Sequence, residues 1–368
     1  FTFFELTVYY TNIASLLAKF DEFLLSVSNL SPTFILITES YLNSSIPDSI
    51  INIPGYSVYR SDRTYCKGGG VCIYVLNTLN KIPIDVDLLD EYSTIHIESL
   101  WLKITISNIT LHLASIYRSP STSFDNDLSL IQALTLASVN LNNLIICGDF
   151  NFPTLNWRVP LLMDGNTQAA NFMNFYLNSN LHQLILEPTR FRNNDRPSTL
   201  DLIFTNDRQL VSTTEYFPPI GISDHVVLLS KLQFLLDSSH GRTICKKMYR
   251  LADFEAIKTY LSGSELDSIN FNMSLEIMYN TLERLLNVSV ERFVPVRNIR
   301  IRDKPWISNT IKYLIREKKK MWLQYRRSND NEHYSQYRAV CNKLKTAIRS
   351  SKSSYEMNLA TKSSKEFF

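Results

Sequence analysis

Two apolar runs of the sequence end directly in an acidic side chain. Thr33-Phe-Ile-Leu-Ile-Thr leads into Glu39, and Leu144-Ile-Ile-Cys-Gly leads into Asp149, with Asn151 two residues later. A strand that is apolar along its length and acidic at its tip places the carboxylate on the rim of a sheet, because the rim is where the strand ends. Several such rims can converge on one site, and this spacing predicts that the acidic tips meet.

Carboxylates that meet in this way call for a cation. Glu39, Asp149 and Asp224 would raise one another's pKa and destabilise the fold unless a positive charge compensates them. Oxygen ligands suit a hard ion such as Mg²⁺ or Mn²⁺, which also accepts phosphate oxygens, so the pattern indicates phosphoryl chemistry. Taken singly, Glu39 or Asp149 could be an exposed loop residue, and Ser223-Asp224-His225 could be a turn with a satisfied histidine.

The first 236 residues alternate short β-rich runs with helical stretches, which is typical of an α/β or layered α+β domain. Leu16 to Val27 and Leu130 to Leu141 repeat apolar residues at helical spacing, and each lies between two strands. The predicted strands are Phe3–Tyr10, Thr33–Thr38, Tyr56–Arg60, Gly70–Leu76, Thr94–Ile97, Leu100–Ile106, Thr110–Tyr117, Leu144–Cys147, Leu200–Thr205, Val211–Phe217 and His225–Leu232.

The rest of the chain has a different composition. Residues 237–250 are polar and indicate a linker, and residues 251–368 are predicted to be helical, ending in two amphipathic helices that pair as a hairpin. From Arg297 to Phe368 there are 18 Lys/Arg against 6 Asp/Glu, a net +12, which favours a polyanionic partner. The candidate nucleic-acid contacts of this tail are Lys318, Lys319, Lys320, Arg326 and Arg327.

Together these segments resemble the endonuclease/exonuclease/phosphatase superfamily, and within it the apurinic-type endonucleases of non-LTR retrotransposons of the Jockey and chicken-repeat kind. The resemblance covers nearly all of residues 1–236. It is carried, in order, by Thr11-Asn-Ile-Ala-Ser-Leu, Leu36-Ile-Thr-Glu-Ser, Gly68-Gly-Gly-Val-Cys-Ile-Tyr-Val, Ile116-Tyr-Arg-Ser-Pro, Gly148-Asp-Phe-Asn, Pro188-Thr-Arg, Ser198-Thr-Leu-Asp-Leu-Ile and Ser223-Asp-His.

The resemblance implies a four-layer α/β/β/α sandwich followed by a basic α-helical extension, and a Mg²⁺-dependent endonuclease that nicks DNA to leave a 3′-hydroxyl. It also implies the role of each matching residue. Glu39 and Asn12 would bind the metal, with Asp224 as a further metal or water contact. Asp149 would activate water, and His225, oriented by Asp201, would donate to the phosphoryl oxygen. The remaining implied contacts are Asn151 and Tyr117 on the phosphate, and Thr189, Arg118 and Ser223 on phosphate or DNA.

Ala14 departs from the family pattern. Relatives carry Asp, Asn or Arg at this position, two residues after the Asn12 equivalent. The departure affects an auxiliary contact, since every principal position is filled.

The tail resembles the segment that joins endonuclease to reverse transcriptase in these elements, with Lys304-Pro-Trp-Ile. No Asp-Asp polymerase signature is present, so we expect the chain to be a fragment whose reverse transcriptase lies outside it. The implied partners are DNA, element RNA through the basic tail, and that reverse transcriptase domain. Two alternatives stay open: a phosphatase or phosphodiesterase of the same superfamily on another substrate, and a decayed fragment that only binds nucleic acid.

Cysteine usage bears on the compartment. The five cysteines form no Cys-x-x-Cys pair, and Cys66 and Cys245 are far apart, which favours a reducing, nuclear or cytoplasmic setting over secretion. No apolar run is long enough to span a bilayer, so no membrane partner is predicted.

Two weaker motifs receive structural interpretations. Gly68-Gly69-Gly70 lacks the Lys-Ser/Thr of a phosphate-binding loop and is interpreted as a turn entering a strand. Trp306 and Trp322 could stack on bases, but a core-facing position is preferred.

Overall fold

The computed structural model describes most of the chain. The described residues are 2–64, 67–79, 82–94, 97–106, 109–161, 163, 165, 167–192, 195–236, 244–247, 249–262, 275–299 and 306–360. Cys66 and Lys304, singled out in the sequence, lie outside these ranges, as do residues 237–243 and 248 of the predicted linker.

Fifteen strands and seven helices are formed by the described residues. The strands are β1 (Thr2–Asn12), β2 (Phe34–Thr38), β3 (Tyr56–Ser61), β4 (Val71–Leu76), β5 (Thr78–Leu79), β6 (Ile82–Leu88), β7 (Glu98–Ile106), β8 (Ile109–Tyr117), β9 (Leu144–Asp149), β10 (His182–Gln183), β11 (Asp201–Thr205), β12 (Val211–Phe217), β13 (Val227–Leu236), β14 (Ile244–Lys247) and β15 (Val296–Ile299). The helices are α1 (Leu16–Leu30), α2 (Phe124–Asn140), α3 (Gln168–Asn178), α4 (Phe254–Ser262), α5 (Leu275–Phe293), α6 (Asn309–Ser328) and α7 (Asn331–Ala360).

Two large sheets organise the body. The first has six strands in the order β12-β13-β1-β2-β4-β3, and the second has seven in the order β10-β11-β9-β8-β7-β6-β5. Each contains one parallel pair, β1 with β2 and β8 with β9, and each of these pairs is joined through a helical segment. Parallel neighbours need such a crossover, so their carboxyl ends reach the same edge of a sheet.

Three apolar layers show that the sheets stack face to face. Leu6, Val8 and Tyr10 alternate along β1 into a core shared with the inner face of the second sheet, where Leu113 and Ile145 lie. The opposite face of the first sheet packs against α1 through a separate cluster, and α2 and α3 cover the outer face of the second sheet. The predicted α/β/β/α sandwich is confirmed.

Local sequence signals explain where three helices begin. The hydroxyl of Ser123 accepts from the amide of Asn126 at 3.3 Å before α2, and Thr167 does the same for Ala170 at 3.1 Å before α3. The hydroxyl of Ser308 accepts from the amide of Ile311 in the same way before α6. A Ser or Thr at this position satisfies an amide that the first helical turn leaves unpaired.

Most predicted strands are observed with shifted ends, with one exception. Thr94 and Ile97 form only an isolated bridge, and residues 95–96 between them lie outside the described ranges. The glycines at 68–70 have φ of 92°, 67° and 79° and lead directly into β4, which confirms the turn. Trp306 and Trp322 are 7% and 1% exposed, which confirms their core position.

The compact units differ from the predicted domain boundaries. Residues Phe1–Ser239 and Asp303–Phe368 form one unit, and His240–Arg302 form the other. The physical reason is that α6 and α7 pair with each other and also bury side chains against the sandwich. Trp322 packs edge-to-face on Phe191 at 5.0 Å, and Leu25 of α1 joins the cluster that holds Ile311 and Leu344.

The second unit contains strands as well as helices. β14 and β15 pair antiparallel, from Ile244 opposite Ile299 to Lys247 opposite Val296, so part of the predicted linker is a strand. Its helices α4 and α5 contact each other, with the rings of Tyr260 and Phe293 5.9 Å apart.

Two further observations concern sequence expectations. Cys72, Cys147 and Cys341 are buried free thiols. Within the described ranges, no helix has the length and apolar character that crossing a membrane would require.

Candidate active site

Strand register brings the predicted site residues to one edge of the stacked sheets. Asn12 ends β1, and Glu39 directly follows β2, its parallel neighbour. In the second sheet Asp149 at the end of β9 stands between Tyr117 of β8 and Asp201 of β11. Side chains separated by up to 189 positions in the chain therefore share one edge because their strands end there.

Asn12 links the two sheets. Its side-chain Nδ2 donates to Glu39 Oε1 at 2.8 Å and to Asp149 Oδ2 at 2.9 Å, and its Oδ1 accepts from the amide of Ala14 at 3.1 Å. The other oxygen of Glu39 accepts from the hydroxyl of Tyr41 at 2.6 Å. Asn12 is fully buried, so one amide group holds two carboxylates at a defined separation.

A histidine–aspartate pair lies beside this bridge. Asp201 Oδ2 is 2.7 Å from His225 Nδ1, and Asp201 Oδ1 accepts from the hydroxyl of Tyr10 at 2.9 Å. Because a carboxylate only accepts, Nδ1 is the donor and the ring orientation is set. His225 Nε2 lies 3.9 Å from Asp149 Oδ2 and 3.8 Å from Asp224 Oδ1, both beyond hydrogen-bond distance.

Burial and neighbouring charges shift the pKa values of Asp149 and His225, and each of these groups affects the pKa of the other. Burial raises the pKa of Asp149 well above its usual range, against the lowering effects of His225 and Asn12 and with a further rise from Asp201. Burial alone would lower the pKa of His225, but the effect of Asp201, Asp149 and Asp224 is larger, and the pKa of His225 is raised overall. A charged imidazolium is therefore favoured next to the carboxylates, with its Nε2–H free to meet a substrate oxygen.

Asp224 is held by two arginines to which the sequence analysis assigned no role, although Arg190 belongs to the Pro188-Thr-Arg motif. Its Oδ2 accepts from Arg190 Nε at 3.0 Å and from Arg192 Nε at 3.1 Å, while its backbone oxygen accepts from the amide of Phe191 at 2.7 Å. Burial raises the pKa of Asp224, but His225 and the two guanidiniums lower it overall. Asp224 thus stays ionised and already has cationic partners.

Glu39 and Asn12 of the predicted metal set are in contact, and Asp224 is bound by Arg190 and Arg192, so the metal role of these three residues stays a prediction. Among the described side chains, the group of three with metal-capable atoms within 4.8 Å of one another is Asp149, Asp201 and His225. Both oxygens of Asp201 are engaged by Tyr10 and His225, so this group is better explained as a hydrogen-bonded relay than as a closed metal site. Asn12 faces the carboxylates with its donor nitrogen, so it positions ligands in this arrangement.

The end of β9 lies very close to the backbone of β8. A Cβ on Gly148 would lie 2.3 Å from the carbonyl oxygen of Ile116, which only glycine tolerates. Asn151 follows with φ 51°, its amide donating to Asp149 Oδ1 at 3.1 Å and its Nδ2 donating to the carbonyl oxygen of Arg118 at 2.8 Å. The Gly-Asp-Phe-Asn segment is therefore shaped to aim Asp149 and Asn151 at the same edge.

Arg118 is buried and paired, which disagrees with its predicted contact with phosphate or DNA. It is 2% exposed, forms a two-point ion pair with Asp127 at 2.6 and 2.8 Å, and stacks over the Phe152 ring at 4.0 Å. Its Nη1 also approaches the carbonyl oxygens of Phe150 and Asn151. A guanidinium that is buried and paired in this way supports the turn that follows β9.

Thr189 and Ser223 also differ from their predicted contact with phosphate or DNA. Thr189 is fully buried, and its hydroxyl accepts from the amides of Leu200 and Asp201 at 3.1 and 3.0 Å. The Ser223 hydroxyl donates to the carbonyl oxygen of Asn12 at 2.9 Å. Each ties one loop to the start or end of a strand, which leaves Thr189 no exposed atom for a ligand.

Tyr117 lies at the same edge, largely buried under a second ion pair. Arg63 packs over its ring at 5.5 Å and pairs with Glu98 at 2.6 Å. Burial, with the nearby charges of Glu39 and Asp149, raises the pKa of Tyr117, so its hydroxyl is a neutral donor. Its predicted role on the phosphate stays a prediction.

The basic candidates on α6 divide into two groups. Lys318 is 5% exposed and pairs with Glu22 and with the carbonyl oxygen of Pro219, while Lys319 and Arg326 lie over the rings of Phe217 and Tyr216 at 4.7 and 4.9 Å. These three attach the hairpin to the body, so Lys318 in particular is not a nucleic-acid contact. Lys320 and Arg327 are exposed.

Sequence reasoning missed Tyr10, Tyr41 and the arginines on Asp224. Tyr10 precedes Asn12 by two residues and so shares its face of β1, which is a signal that alternation alone could have supplied. Arg190 is the last residue of the Pro188-Thr-Arg motif, but no spacing in the sequence ties it to Asp224, which is 34 residues away.

The sequence was compared with models of protein families and with curated proteins. Residues 111–229 match a family model described as endonuclease-reverse transcriptase. Over these residues the match confirms the resemblance to a retrotransposon endonuclease that was stated from the sequence. No curated protein sequence matches the chain.

Similar solved structures include three nucleases or phosphatases. The endonuclease domain of TRAS1, a telomere-specific non-LTR retrotransposon, is 17% identical with a TM-score of 0.49, and the match covers 62% of this chain and 98% of that one. AP endonuclease LMAP from Leishmania major is 14% identical with a TM-score of 0.49, covering 63% and 88%. The 3′ phosphatase NExo from Neisseria, bound to a product DNA hairpin, is 12% identical with a TM-score of 0.46, covering 62% and 100%.

Proposed function

We propose, from the match of residues 111–229 to the endonuclease-reverse transcriptase family, that the chain is a metal-dependent phosphodiesterase that nicks DNA and leaves a 3′-hydroxyl. The observation that carries the proposal is the hydrogen-bonded series Tyr10–Asp201–His225, which ends within 4 Å of Asp149. Hydrolysis of a phosphodiester needs an oriented water, a donor for the phosphoryl oxygen and a base, and this edge contains candidates for each.

A divalent cation fits the oxygen donors at this edge. Glu39 is half-buried at the tip of β2, and it is the carboxylate that would hold Mg²⁺ or Mn²⁺. Mg²⁺ is usually bound by one or two carboxylates together with waters and substrate phosphates, so a single strong protein ligand is sufficient. When bound, the ion would withdraw charge from a phosphoryl oxygen.

The chain's own residues then divide the work. Asp149, whose raised pKa makes it a stronger base than an ordinary aspartate, accepts the proton of the attacking water as the bond from the water oxygen to phosphorus forms. The bond from phosphorus to the 3′-oxygen breaks, and this leaving oxygen takes a proton from solvent to become the 3′-hydroxyl. His225 donates its Nε2–H to a phosphoryl oxygen, and Asp201 with Tyr10 keeps the ring in that orientation. Asn12 fixes the separation between Glu39 and Asp149, so the base and the metal ligand act on the same phosphate.

The product chemistry suggests the wider setting. A 3′-hydroxyl at the nick is a primer for a polymerase, which suits a reverse transcriptase domain in the intact element, with element RNA as its template. The buried free thiols at Cys72, Cys147 and Cys341 fit a reducing compartment, nuclear or cytoplasmic.

Supercoiled plasmid tests the function directly. The chain should convert supercoiled plasmid to the open circular form in Mg²⁺ and not in EDTA, and a DNA polymerase should extend the nicked strand without prior phosphatase treatment. Nicks that block extension until their 3′ ends are dephosphorylated would contradict the proposed polarity. Release of phosphate from small monoesters without nicking would favour a phosphatase.

Removal of the proposed metal ligand gives a sharper test. Glu39→Gln keeps the shape and one acceptor for Asn12 but removes the charge, so nicking should require much more Mg²⁺. The half-saturating concentration should rise by at least roughly 10- to 100-fold, the range for loss of a residue that only supports a metal ligand. Glu91→Gln, an exposed position, is the matched control and should behave like the parent. A Glu39→Gln variant with the parent's Mg²⁺ titration curve would show that Glu39 is not the ligand.

A further inference from the structure

Helix α7 forms one wall of a cleft at the catalytic edge. The cleft has a volume of about 580 Å³, with Arg192, Ile222 and Asp224 on the sandwich side and Tyr334 and Arg338 on α7. All of these residues belong to the same compact unit. Since Asp224 Oδ1 is 3.8 Å from His225 Nε2, the cleft opens directly beside the proposed catalytic histidine.

A second cleft continues along the same helix. It is lined by Lys345 and Arg349 of α7, by α1, and by the loop at Gly221 and Ile222, so Ile222 contributes to both clefts. Arg338, Lys345 and Arg349 are spaced seven and four residues apart, which places them on one face of an α-helix. The basic side chains therefore form a line that begins at the catalytic edge.

These three cations are available for a ligand. None of the carboxylates that the structure describes lies within 4.0 Å of Arg338, Lys345 or Arg349. The acidic residues on the facing helix α1 are already paired, Glu22 with Lys318 and Asp21 with Lys352 at 2.8 Å. The line of positive charge therefore faces an opposite wall whose negative charges are neutralised.

We propose that Arg338, Lys345 and Arg349 of α7 bind the phosphate backbone of duplex DNA and lead it to the catalytic edge. The proposal rests on the proposed nicking function, because that function makes DNA the ligand. Arg349 lies eleven positions after Arg338, a distance of about 16 Å along the helix at roughly 1.5 Å per residue. Such a span matches about five base-pair steps of roughly 3.4 Å, enough for several phosphate contacts.

The proposal moves the binding surface away from the α6 residues predicted from sequence. Lys318 is buried in an ion pair, and Lys319 and Arg326 lie over aromatic rings. Lys319, Lys320 and Arg327 are exposed, but none of these five residues lines either cleft. The basic tail is then a part of the substrate site, with its contribution concentrated on α7.

Two triple variants of the full chain separate α7 from α6. One carries Arg338→Gln, Lys345→Gln and Arg349→Gln, and the other carries Arg316→Gln, Lys320→Gln and Arg327→Gln, which removes the same charge from exposed α6 positions. Binding of a fluorescent 20-bp duplex would be measured by anisotropy in EDTA, where no cutting is expected, across a range of salt concentrations. Thermal melting would confirm that both variants stay folded.

The α7 variant should flatten the plot of log affinity against log salt by about 2.7, at about 0.9 per lost phosphate contact, and the α6 variant by less than about 1. Equal slopes for the two variants, or no DNA binding by the parent, would overturn the proposal. Loss of affinity for a single-stranded RNA of equal length, with duplex binding unchanged, would also overturn it in favour of RNA. Plasmid nicking by the parent is scored separately and tests the proposed function. If the parent nicks plasmid but the two variants have equal salt slopes, only the proposal for α7 is overturned.

Discussion

Asp149→Asn is expected to reduce the rate of plasmid nicking by roughly 10²- to 10⁴-fold, the range for loss of a general base. Asp149 is 1% exposed and accepts from Asn12 on one oxygen and from the amide of Asn151 on the other. An asparagine can accept on only one side, and it cannot take a proton from water. The chemical step should fail while the surrounding strands keep their register.

The measurement is nicking at saturating enzyme, with duplex affinity measured in parallel. Affinity should stay within a few-fold of the parent, because the buried carboxylate is not part of the surface that holds the DNA backbone. Asp125→Asn removes the same charge from the exposed first turn of α2 and should nick normally. A fall in affinity as large as the fall in rate would mean that Asp149 holds substrate or structure and takes no proton.

The imidazole provides a second arm of the same prediction. His225→Ala removes the donor to the phosphoryl oxygen and should cost roughly 10²- to 10³-fold in rate, the range for a lost oxyanion donor. Asp201→Asn acts mainly through the ring, because Asp201 is bound to His225 and Tyr10 and is fully buried, although it also contributes to the raised pKa of Asp149. The double variant should therefore lose little more than His225→Ala alone, which is the behaviour of a positioning residue.

The types of the proposed catalytic residues could be predicted from the sequence, and the resemblance also implied the pairs His225–Asp201 and Asn12–Glu39, but the partners of Arg118, Thr189 and Asp224 could not be predicted. Glu39 and Asp149 each end an apolar run, and strand ends are readable because burial and alternation act locally. Whether Arg118 meets phosphate or Asp127 depends on where α2 packs, which no local pattern encodes. For the same reason Thr189 was predicted to be a ligand contact, although it anchors the amides of Leu200 and Asp201.

The same division applies to the fold. Strands with a continuous apolar run, such as β2 and β9, were predicted close to their observed bounds. Strand β6 was missed because Pro83, Asp85 and Asp87 interrupt its apolar residues, and it forms a strand through pairing with β7, as at Ile84 opposite Ile106. The hairpin of α6 and α7 was predicted from periodicity, but its packing on the sandwich was not. A stripe of apolar residues shows that a helix face is buried and does not show which surface buries it.

Trp322→Ala is expected to lower the free energy of unfolding of the sandwich itself by about 3–5 kcal/mol, the usual cost of truncating a buried tryptophan. Trp322 is 1% exposed and packs against Phe191, Tyr325 and Tyr337 with ring centroids 5.0 to 5.7 Å apart. The amide of Phe191 binds the backbone oxygen of Asp224, so loosening this contact should also lower nicking. A chain ending at residue 236 would lose the same support.

Fluorescence can assign the loss to the sandwich. The protein has four tryptophans, and in a Trp306→Phe background the Trp322→Ala variant keeps only Trp101 and Trp157, both in the cluster under α2 and α3. Urea unfolding followed by these two reporters should shift to lower denaturant, whereas Leu323→Ala, at the neighbouring exposed position, should change stability by about 0.5 kcal/mol or less. If helicity is lost in an earlier transition while the midpoint from Trp101 and Trp157 is unchanged, then α6 and α7 unfold as a separate element. The sandwich would in that case hold Asp224 in place without them.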